Sequence, residues 1–422
     1  MAEAANPEFV SVPLIGWSLA DALRRATDVH LVTQIRNREA LLRAGLIEGK
    51  DFTAIDSEKL AAPMWKLGQL LRMGDDKGWT MLQALSTLSY PYFERLVWQA
   101  FGARIRGGEF DLVHRITPLS PSAQSWIAPR IKAAGVPFVI GPLNGGVPWP
   151  RGFEKEKQQE GEWLSRFRDI YKLMPSRRRT LEASAAILVG SRRAESEIPP
   201  PYRARCIYIP ENAVDPARFN LRAAPAGTGP LRIGFVGRLV PCKGTDMLVE
   251  AALPLLKSGK ASIDFVGDGP MMATLQAQVH EAGVTDAVTF HGWKSHADVQ
   301  QILAGCALLG FPSIREFGGG AVLEAMALGV APLVVDYAGP GELVGPRTGF
   351  KVPLGSRAEI VAHLTEALTR IEADRPGLAA AAAAARACIE SHFTWDRRAE
   401  QMLEIYDWVL GRRADKPAPF GL

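Results

Sequence analysis

Short apolar segments rich in β-branched residues recur along the whole chain, and a longer stretch with helical spacing follows each of them. Two of these segments, IGFVG at 233–237 and PLVVD at 332–336, show no alternation of apolar and polar positions. Strands of that kind are buried on both faces, as they are in parallel sheets covered by helices. The repeated alternation of strand and helix therefore predicts an α/β chain built from doubly wound parallel sheets.

The 422 residues are too many for one ordinary hydrophobic core, and one break divides them. Between Asp215 and Gly229 the sequence loses its apolar periodicity and is rich in Pro, Gly and Ala, which is typical of a linker. We predict two Rossmann-like domains with a cleft between them. The predicted strands are 29–33, 112–116, 137–140, 186–189 and 207–209 before the break, and 231–236, 261–266, 287–290, 307–311 and 331–335 after it.

The first strand of the N-terminal domain is hard to locate. A doubly wound domain opens with a buried strand, yet only 15 residues precede Gly16. The segment FVSVPLIG at 9–16 could serve, but it is short and Pro13 interrupts it. The sequence leaves two interpretations, a degenerate first strand or a true start upstream of Met1, and we favour the second.

Composition excludes several classes of protein. Hydrophobic residues at 47% and charged residues at 22% are the usual mix of a packed domain, and a net charge of +4 is too small to indicate nucleic-acid binding. Four scattered cysteines form neither a zinc motif nor a disulfide framework, which favours a reducing compartment. Without a signal-peptide hydrophobic region or an apolar run long enough to span a bilayer, the chain is expected in the cytoplasm.

The motif GRLVPCKGT at 237–245 places two cations after a predicted strand. Arg238 and Lys243 follow the carboxyl end of that strand, and a helix is predicted to begin near Thr245. Ligands bind at this edge of doubly wound sheets, and two cations beside a helix N-terminus suit a diphosphate. The alternative is a surface loop with two ordinary cations.

Glycines end two further strands. In VGDGP at 266–270, Gly267 and Gly269 can take positive φ and bring the backbone close to a ligand, and in FHGW at 290–293 Gly292 ends another strand. A tight turn with no ligand is an equally good interpretation of each.

Two glutamates eight residues apart bracket three glycines in FPSIREFGGGAVLEAM at 311–326. The apolar pattern predicts a buried helix that starts at Gly318, Gly319 and Gly320, whose amides can receive phosphate oxygens. Glu316 precedes the turn and can accept hydrogen bonds from sugar hydroxyls. Glu324 lies one turn into the helix, where a carboxylate is costly without a partner, so a ligand role is favoured over a purely structural one.

These motifs, in this order, resemble the retaining glycosyltransferases of the GT-B fold, the glycosyl transferases group 1 or family 4. Glu-x7-Glu matches Glu316 and Glu324, and GRLxxxKG matches Arg238, Lys243 and Gly244. The resemblance implies that the two cations bind the donor diphosphate, Glu316 contacts the transferring sugar and Glu324 the ribose. It also implies that the 318–320 amides hold donor oxygens and that the loop at Gly292 lies by the base.

The resemblance also implies an arrangement of domains. Residues 1–212 would form an acceptor-side domain and 213–395 a nucleotide-sugar-binding domain. The helical spacing of Met402, Ile405 and Val409 would belong to a closing helix within 396–422 that crosses back to the first domain. One departure is Phe317 followed by three glycines, where Ser/Gly-Phe-Gly is common, so the donor sugar cannot be carried over.

The N-terminal half offers acceptor-side candidates at three loops. Gly16 and Trp17 precede a predicted helix, and His114 ends a strand in a position where many relatives line the acceptor site with a histidine. A second histidine common in relatives is Ile116 here, so His114 is either catalytic or a satisfied core residue. Another strand-end loop, predicted to contact substrate, contains Asn144, Gly145 and Gly146.

Residues 149–180 mix aromatic and basic side chains, which suits contact with an anionic membrane surface. Four glutamates at 154, 156, 160 and 162 dilute that charge, and an ordinary helix with its aromatics packed inward is the favoured interpretation. An earlier apolar stretch around Trp65, Leu70 and Leu71 leaves the same ambiguity.

The predicted reaction is transfer of a sugar from a nucleotide-diphosphate sugar to a glycan, lipid-linked or small-molecule acceptor in polysaccharide or glycoconjugate assembly. No Asp-x-Asp occurs in the sequence, so we expect no metal and no cofactor, and cations and helix dipoles would neutralise the leaving diphosphate. The resemblance implies retention of configuration. A nucleotide-sugar epimerase of the same fold and a catalytically inactive homologue that binds nucleotide sugars are the alternatives.

Overall fold

The structure is a computed structural model that describes residues 1–59, 79–160, 171–223 and 229–421. These residues form two compact units. The N-terminal unit holds the described residues up to 146, those from 171 to 211 and those from 395 to 421. The C-terminal unit holds residues 147–160 and the described residues from 212 to 394.

The N-terminal unit is a parallel sheet with helices between its strands. Its strands are β1 Leu31–Gln34, β2 Phe52–Ile55, β3 Val113–Arg115, β4 Phe138–Leu143, β5 Ser184–Val189 and β6 Cys206–Tyr208. Its helices are α1 Val12–Ala26, α2 Arg38–Arg43, α3 Trp79–Arg106, α4 Ala128–Ala133, α6 Pro175–Ala183, α7 Arg192–Ser196 and α15 Trp395–Val409.

Residues 1–3 join the two parts of that sheet. β1 pairs with β2 and β3–β4–β5–β6 form a second ladder, all of them parallel. Between them, the Ala2 amide donates to Val32 O at 2.9 Å, and the Ile116 amide donates to Met1 O at 2.8 Å. The resulting order, β2–β1–(1–3)–β3–β4–β5–β6, is that of a doubly wound sheet.

The interpretation of 9–16 as the first strand is wrong. Helix α1 begins at Val12, and Pro13 lies in its first turn, where a missing amide hydrogen costs nothing. The place of the first strand is taken by residues 1–3, which pair on both sides. An apolar segment next to a proline therefore indicated a helix N-terminus rather than a strand.

The C-terminal unit is a six-stranded parallel sheet in the order β12–β11–β10–β7–β8–β9. Its strands are β7 Leu231–Val236, β8 Ala261–Val266, β9 Val288–Gly292, β10 Leu308–Phe311, β11 Ala331–Val335 and β12 Phe350–Val352. Its helices are α5 Glu154–Gln159, α8 Thr245–Lys257, α9 Met272–Glu281, α10 His296–Ala304, α11 Gly320–Leu328, α12 Ala338–Leu343, α13 Arg357–Ala373 and α14 Arg375–His392.

The predicted α/β class with two Rossmann-like units is confirmed, and each of the ten predicted strands overlaps an observed one. Two short strands, β2 and β12, were missed because only two of the four residues in β2 and one of the three in β12 are buried, so neither forms a continuous apolar run. Residues 147–160 lie in the C-terminal unit although the sequence placed them in the first domain, and α15 lies in the N-terminal unit.

Both sheets are buried. Phe235, Phe265 and Phe311, on three neighbouring strands of the C-terminal unit, are at most 1% exposed and pack ring against ring. None of the described helices has the length and apolar character needed to cross a bilayer.

Candidate active site

The loops that follow β7 and β8 are held together backbone to backbone. A Cβ on Gly267 (φ 138°) would lie 2.0 Å from Gly237 O, and a Cβ on Gly269 (φ 155°) would lie 2.5 Å from Leu239 O. The Leu239 amide donates to Asp268 O at 2.9 Å. The structure thus explains Gly267 and Gly269 by the close approach of two loops, without a ligand.

A short turn, Pro241–Lys243, then leads into α8 through Gly244, which has φ 66°. A Cβ there would lie 2.5 Å from Pro312 O in the loop after β10. The turn and that loop are therefore in contact, and only glycine allows it. This contact brings Lys243 to the carboxyl end of the neighbouring strand β10.

Lys243 Nζ forms an ion pair with Glu316 Oε2. The lysine ammonium also lies 5.0 Å from the centroid of the Phe311 ring, which gives it a cation–π contact. Burial lowers the pKa of Lys243, because desolvation penalises the charged ammonium. The structure thus joins the predicted diphosphate lysine to the predicted sugar-contacting carboxylate.

The glycine turn before α11 has the geometry that the sequence predicted. Gly319 caps the helix with φ 59°, and α11 begins at Gly320. The carbonyl of Gly318 accepts a hydrogen bond from Asn212 Nδ2 at 2.9 Å, so the turn is fixed from outside. Amides at the start of a nine-residue helix carry a partial positive charge that favours an anion.

Glu324 is one turn into α11 and about a quarter exposed, at 27% of its side chain. Burial raises its pKa to about 7, and the neighbouring Arg218 opposes that rise. His296, at the start of α10, places Nε2 3.9 Å from Glu324 Oε1, and Phe219 packs edge-on against the His296 ring. The sequence assigned 215–229 to a linker and so missed Arg218 and Phe219.

Two other predicted donor residues lie in neighbouring loops. Arg238 follows β7 and is half-buried. Gly292 ends β9 with φ 65°, and its carbonyl accepts the Gly267 amide at 2.9 Å. Trp293, directly after it, is 74% exposed.

Residues 147–160, named here the 147–160 segment, pack on the same loops. Arg315, next to Glu316, donates from Nε to Val147 O at 3.1 Å. Its guanidinium lies between two rings, 5.3 Å from the Trp149 centroid and 5.7 Å from the Phe317 centroid. Stacking of this kind fixes the guanidinium plane and, with it, the loop that carries Glu316.

Two more hydrogen bonds attach the 147–160 segment. Tyr337 donates its hydroxyl to Pro148 O at 3.0 Å, and Glu160 Oε1 accepts the Cys242 amide at 2.9 Å, next to Lys243. The sequence missed this segment as part of the site. No local pattern pointed to it, because its partners lie 82 residues or more away along the chain.

His114 is fully engaged in the N-terminal unit. Its Nε2 is 2.7 Å from Gly141 O, which can only accept, so Nε2 carries the hydrogen and Nδ1 accepts from Tyr406 Oη at 2.6 Å. Burial lowers its pKa to about 3, so the ring stays neutral. Of the two interpretations left open by the sequence, this geometry favours the core histidine over the catalytic one.

Gly16 and Trp17 do not precede a helix but lie inside α1, which corrects the prediction. A Cβ on Gly16 would lie 2.1 Å from Ala4 O and 3.0 Å from Thr117 Cγ2. The glycine is therefore required by packing of the helix against the strand segment at residues 1–4. No ligand is needed to explain it.

The loop after β4 is tied down by its own side chain. Asn144 donates from Nδ2 to Glu211 Oε1 at 2.6 Å and accepts at Oδ1 from the Gly145 amide and Ser191 Oγ. Gly145 and Gly146 take φ of 135° and 75°. Asn144 thus shapes the loop, and a contact of this loop with substrate stays a prediction.

In the described part of the chain, no group of three or more His, Cys, Asp or Glu side chains has the geometry to hold a metal ion. A wide surface groove of about 520 Å³ lies between α9 and β9. The residues described as lining it include none of the predicted site residues.

Comparison with known proteins gives a match over the part of the chain that carries the predicted donor-site residues of the C-terminal unit. Residues 218–382 match the family model described as "Glycosyl transferases group 1". That range contains Arg238, Lys243, Glu316 and Glu324.

Two curated relatives match the chain in part. It is 31% identical over 223 residues to the 2-deoxystreptamine glucosyltransferase of Streptomyces kanamyceticus, which covers 49% of this chain and 56% of the relative. It is 34% identical over 190 residues to the D-inositol 3-phosphate glycosyltransferase of Gordonia bronchialis. That match covers 42% of this chain and 40% of the relative. The chain thus spans about half the length of the curated relatives that it matches.

Among solved structures, Anabaena Alr3699/HepE in complex with UDP is similar with a TM-score of 0.60. The match covers 92% of this chain and 94% of that one at 17% identity. Likeness at this level of identity establishes the shared two-unit α/β fold.

Proposed function

We propose that this chain transfers a sugar from a nucleotide-diphosphate sugar to an acceptor hydroxyl, because its residues 218–382 match the family model described as "Glycosyl transferases group 1". The C-terminal unit would bind the donor and the N-terminal unit the acceptor. The donor base is open to test, and uridine is the first candidate because the structurally similar HepE was solved with UDP.

One observation carries the proposal: Lys243 and Glu316 meet at the carboxyl ends of adjacent strands, next to the N-terminus of α11. A cation and a helix N-terminus suit the diphosphate, and a carboxylate beside them suits sugar hydroxyls. Glu324, eight residues further on, offers a second carboxylate that could accept from both ribose hydroxyls. The cluster therefore has one group for each part of a nucleotide sugar.

We propose that the reaction retains the anomeric configuration. The bond between sugar C1 and the diphosphate oxygen breaks, the acceptor oxygen bonds to C1 on the same face, and the acceptor proton passes to the departing diphosphate. Lys243 and Arg238 would stabilise the charge that develops on the leaving group, and the α11 N-terminus would add to it. With these positive groups in place, the transfer would need no metal ion and no cofactor.

Polysaccharide or glycoconjugate assembly is the setting that we propose, with a glycan, a lipid-linked or a small polar acceptor. Peripheral contact with a membrane is part of the proposal for a lipid-linked acceptor only. Leu173 is 86% and Met174 46% exposed at the start of α6, and Arg178 and Arg179 follow on its surface. Residues 161–170 and the stretch around Trp65, which the sequence analysis also considered for membrane contact, lie outside the described residues.

The alternatives differ from transfer in what they consume. An epimerase turns over the donor with no acceptor, and an inactive homologue binds the donor and turns over nothing. The pair of Glu316 and Glu324 favours transfer, because its Glu-x7-Glu spacing is the one that matches the glycosyltransferase pattern.

The test is a thermal-shift screen with UDP, GDP, ADP and dTDP and their glucose conjugates, on the natural chain and on Glu324→Ala. One diphosphate series should raise the midpoint, since a ligand at 100 times its Kd stabilises by about 2.7 kcal/mol. Glu281→Ala, an exposed change on α9, should keep that response, and Glu324→Ala should lose it. If a folded natural chain responds to none of them, the donor-site proposal is wrong.

A further inference from the structure

A buried guanidinium in the N-terminal unit has N–H groups with no hydrogen-bond acceptor among the described residues. Arg115, the last residue of β3, is 0% exposed. Its Nη1 donates to Ala123 O, whereas Nε and Nη2 reach no acceptor among the residues that the structure describes. The guanidinium also lies 5.6 Å from the centroid of the Tyr90 ring. A cation buried with unmet hydrogens is costly in free energy, so another partner is expected.

Arg115 lines a narrow cavity of about 20 Å³ at the carboxyl ends of β3, β4 and β5. Pro121, Gln124, Arg177 and Glu197 are among the other residues around it. A cavity of this size holds a single water-sized particle, such as a water, a halide ion or one oxygen of a carboxylate. The size therefore excludes a whole sugar from the cavity itself but admits the end of one charged group.

The carboxylate nearest the cavity already has partners. Glu197 Oε1 receives Lys172 Nζ at 3.1 Å and Arg193 Nη2 at 3.0 Å, and Glu197 Oε2 receives the Tyr171 hydroxyl at 3.3 Å. Its charge is thus shared by two cations before any interaction with Arg115 or Arg177.

The second carboxylate near the guanidinium is Glu94, which is also 0% exposed. Its oxygens accept from Ser125 Oγ at 2.6 Å and from the backbone amide of Trp126. Burial raises the pKa of Glu94, which weakens its value as a counter-ion. Among the described residues that line the cavity, two cations, Arg115 and Arg177, stand against one carboxylate, Glu197, whose charge Lys172 and Arg193 already share. This excess of positive charge favours an anion over a water.

We propose that the cavity binds a small anionic group, held by the Nε–H and Nη2–H of Arg115. A guanidinium presents these two hydrogens side by side, the arrangement that binds a halide or one end of a carboxylate. The group is either a free inorganic anion or an acidic substituent of the acceptor. The second source is consistent with the position, because Pro121 and Glu197 also flank Gly145 and Gly146. The site does not depend on the donor-site proposal.

The first experiment needs no substitution. A crystal of the full chain soaked in sodium bromide should give an anomalous peak within about 3.5 Å of Arg115 Nε and Nη2. A well-ordered map with a water or nothing at that position, at bromide concentrations that fill other surface sites, would overturn the proposal.

The second experiment measures the thermal midpoint with bromide, formate, glucose and glucuronate. The natural chain should gain about 2–5 °C from the bound anion, and Arg115→Met should gain nothing. The matched control is Arg130→Met, an exposed arginine on α4, which should respond like the natural chain. Comparison of variants cancels the general effect of salt.

The ligands separate the two sources. If bromide and formate raise the midpoint and glucuronate raises it no more than glucose does, the site belongs to a free anion. Stabilisation by glucuronate above glucose that requires Arg115 assigns it to an acidic sugar substituent. Equal responses of the natural chain and Arg115→Met to all four compounds contradict both, and if Arg115→Met does not fold, the bromide map decides.

Discussion

Lys243 and Glu316 lie 73 residues apart in the chain and form an ion pair in the C-terminal unit. The lysine comes from the turn after β7 and the glutamate from the loop after β10, two strands that are neighbours in the sheet. A diphosphate that entered this site would compete with Glu316 for the ammonium, and the freed carboxylate would turn to the sugar. Donor binding is therefore expected to exchange one ion pair for another.

Removing the lysine tests that exchange. Lys243→Ala should weaken binding of the donor diphosphate about 10- to 100-fold, because a hydrogen bond to a charged group contributes about 1.5–3 kcal/mol. Titration calorimetry with the nucleotide diphosphate measures it. Lys260→Ala, an exposed lysine of the same unit, should bind as the natural chain does. Unchanged affinity in Lys243→Ala would exclude this lysine from the diphosphate site.

The raised pKa of Glu324 should make the stability of the folded chain depend on pH. Its pKa is raised from 4.5 to about 7 in the folded chain, so its contribution to the free energy of unfolding is full below about pH 4.5 and lost as the pH rises to about 7. The loss is on the order of 2–3 kcal/mol, since about a quarter of the side chain meets water. Glu324→Gln cannot titrate and should escape this loss.

Urea denaturation of the two chains at pH 5, 6, 7 and 8 measures the difference. They should be about equally stable at pH 5, and the glutamine variant should be the more stable at pH 8. Other buried carboxyls such as Glu3, whose pKa is also raised to about 7, are common to both chains and cancel. A difference that stays constant across this range would show that Glu324 is ionised throughout.

The sequence predicted those parts of the site whose signals are local. The loop after β7 and the glycine turn before α11 each lie within one continuous motif, and the strands around them are continuous apolar runs. The roles of Gly267 and Gly16 were not readable, because a glycine that meets a ligand and one that meets another backbone have the same sequence pattern. His114 was ambiguous for a similar reason, since its partner Tyr406 is 292 residues away.

The 147–160 segment provides a test of positioning. Glu160→Ala removes the acceptor of the Cys242 amide beside Lys243, and Arg315→Lys removes the planar group between Trp149 and Phe317. Each should lower kcat/KM for transfer about 10-fold, mainly through the KM of the donor, because the loops that carry Lys243 and Glu316 lose their order.

Steady-state kinetics with a varied donor measures that change, and the thermal midpoint reports folding. Gln158→Ala, an exposed change on α5 in the same segment, should match the natural chain in the KM of the donor and in the thermal midpoint. A loss of stability with unchanged KM for the donor would show that the segment supports the fold and does not position the site.

His114 and Tyr406 give the last prediction, which concerns the interpretation of His114 as a core residue. Tyr406→Phe leaves Nδ1 of a buried, neutral imidazole without its donor, so it should destabilise the chain by about 1–3 kcal/mol. In the double variant with Tyr406→Phe and His114→Gln, the loss of stability should be smaller than the sum of the two single losses, because both substitutions remove the same hydrogen bond. Among folded variants the transfer rate should stay within about threefold of the natural value. A fall of 100-fold or more in kcat for His114→Gln, with stability close to that of Tyr406→Phe, would restore a catalytic role to the histidine.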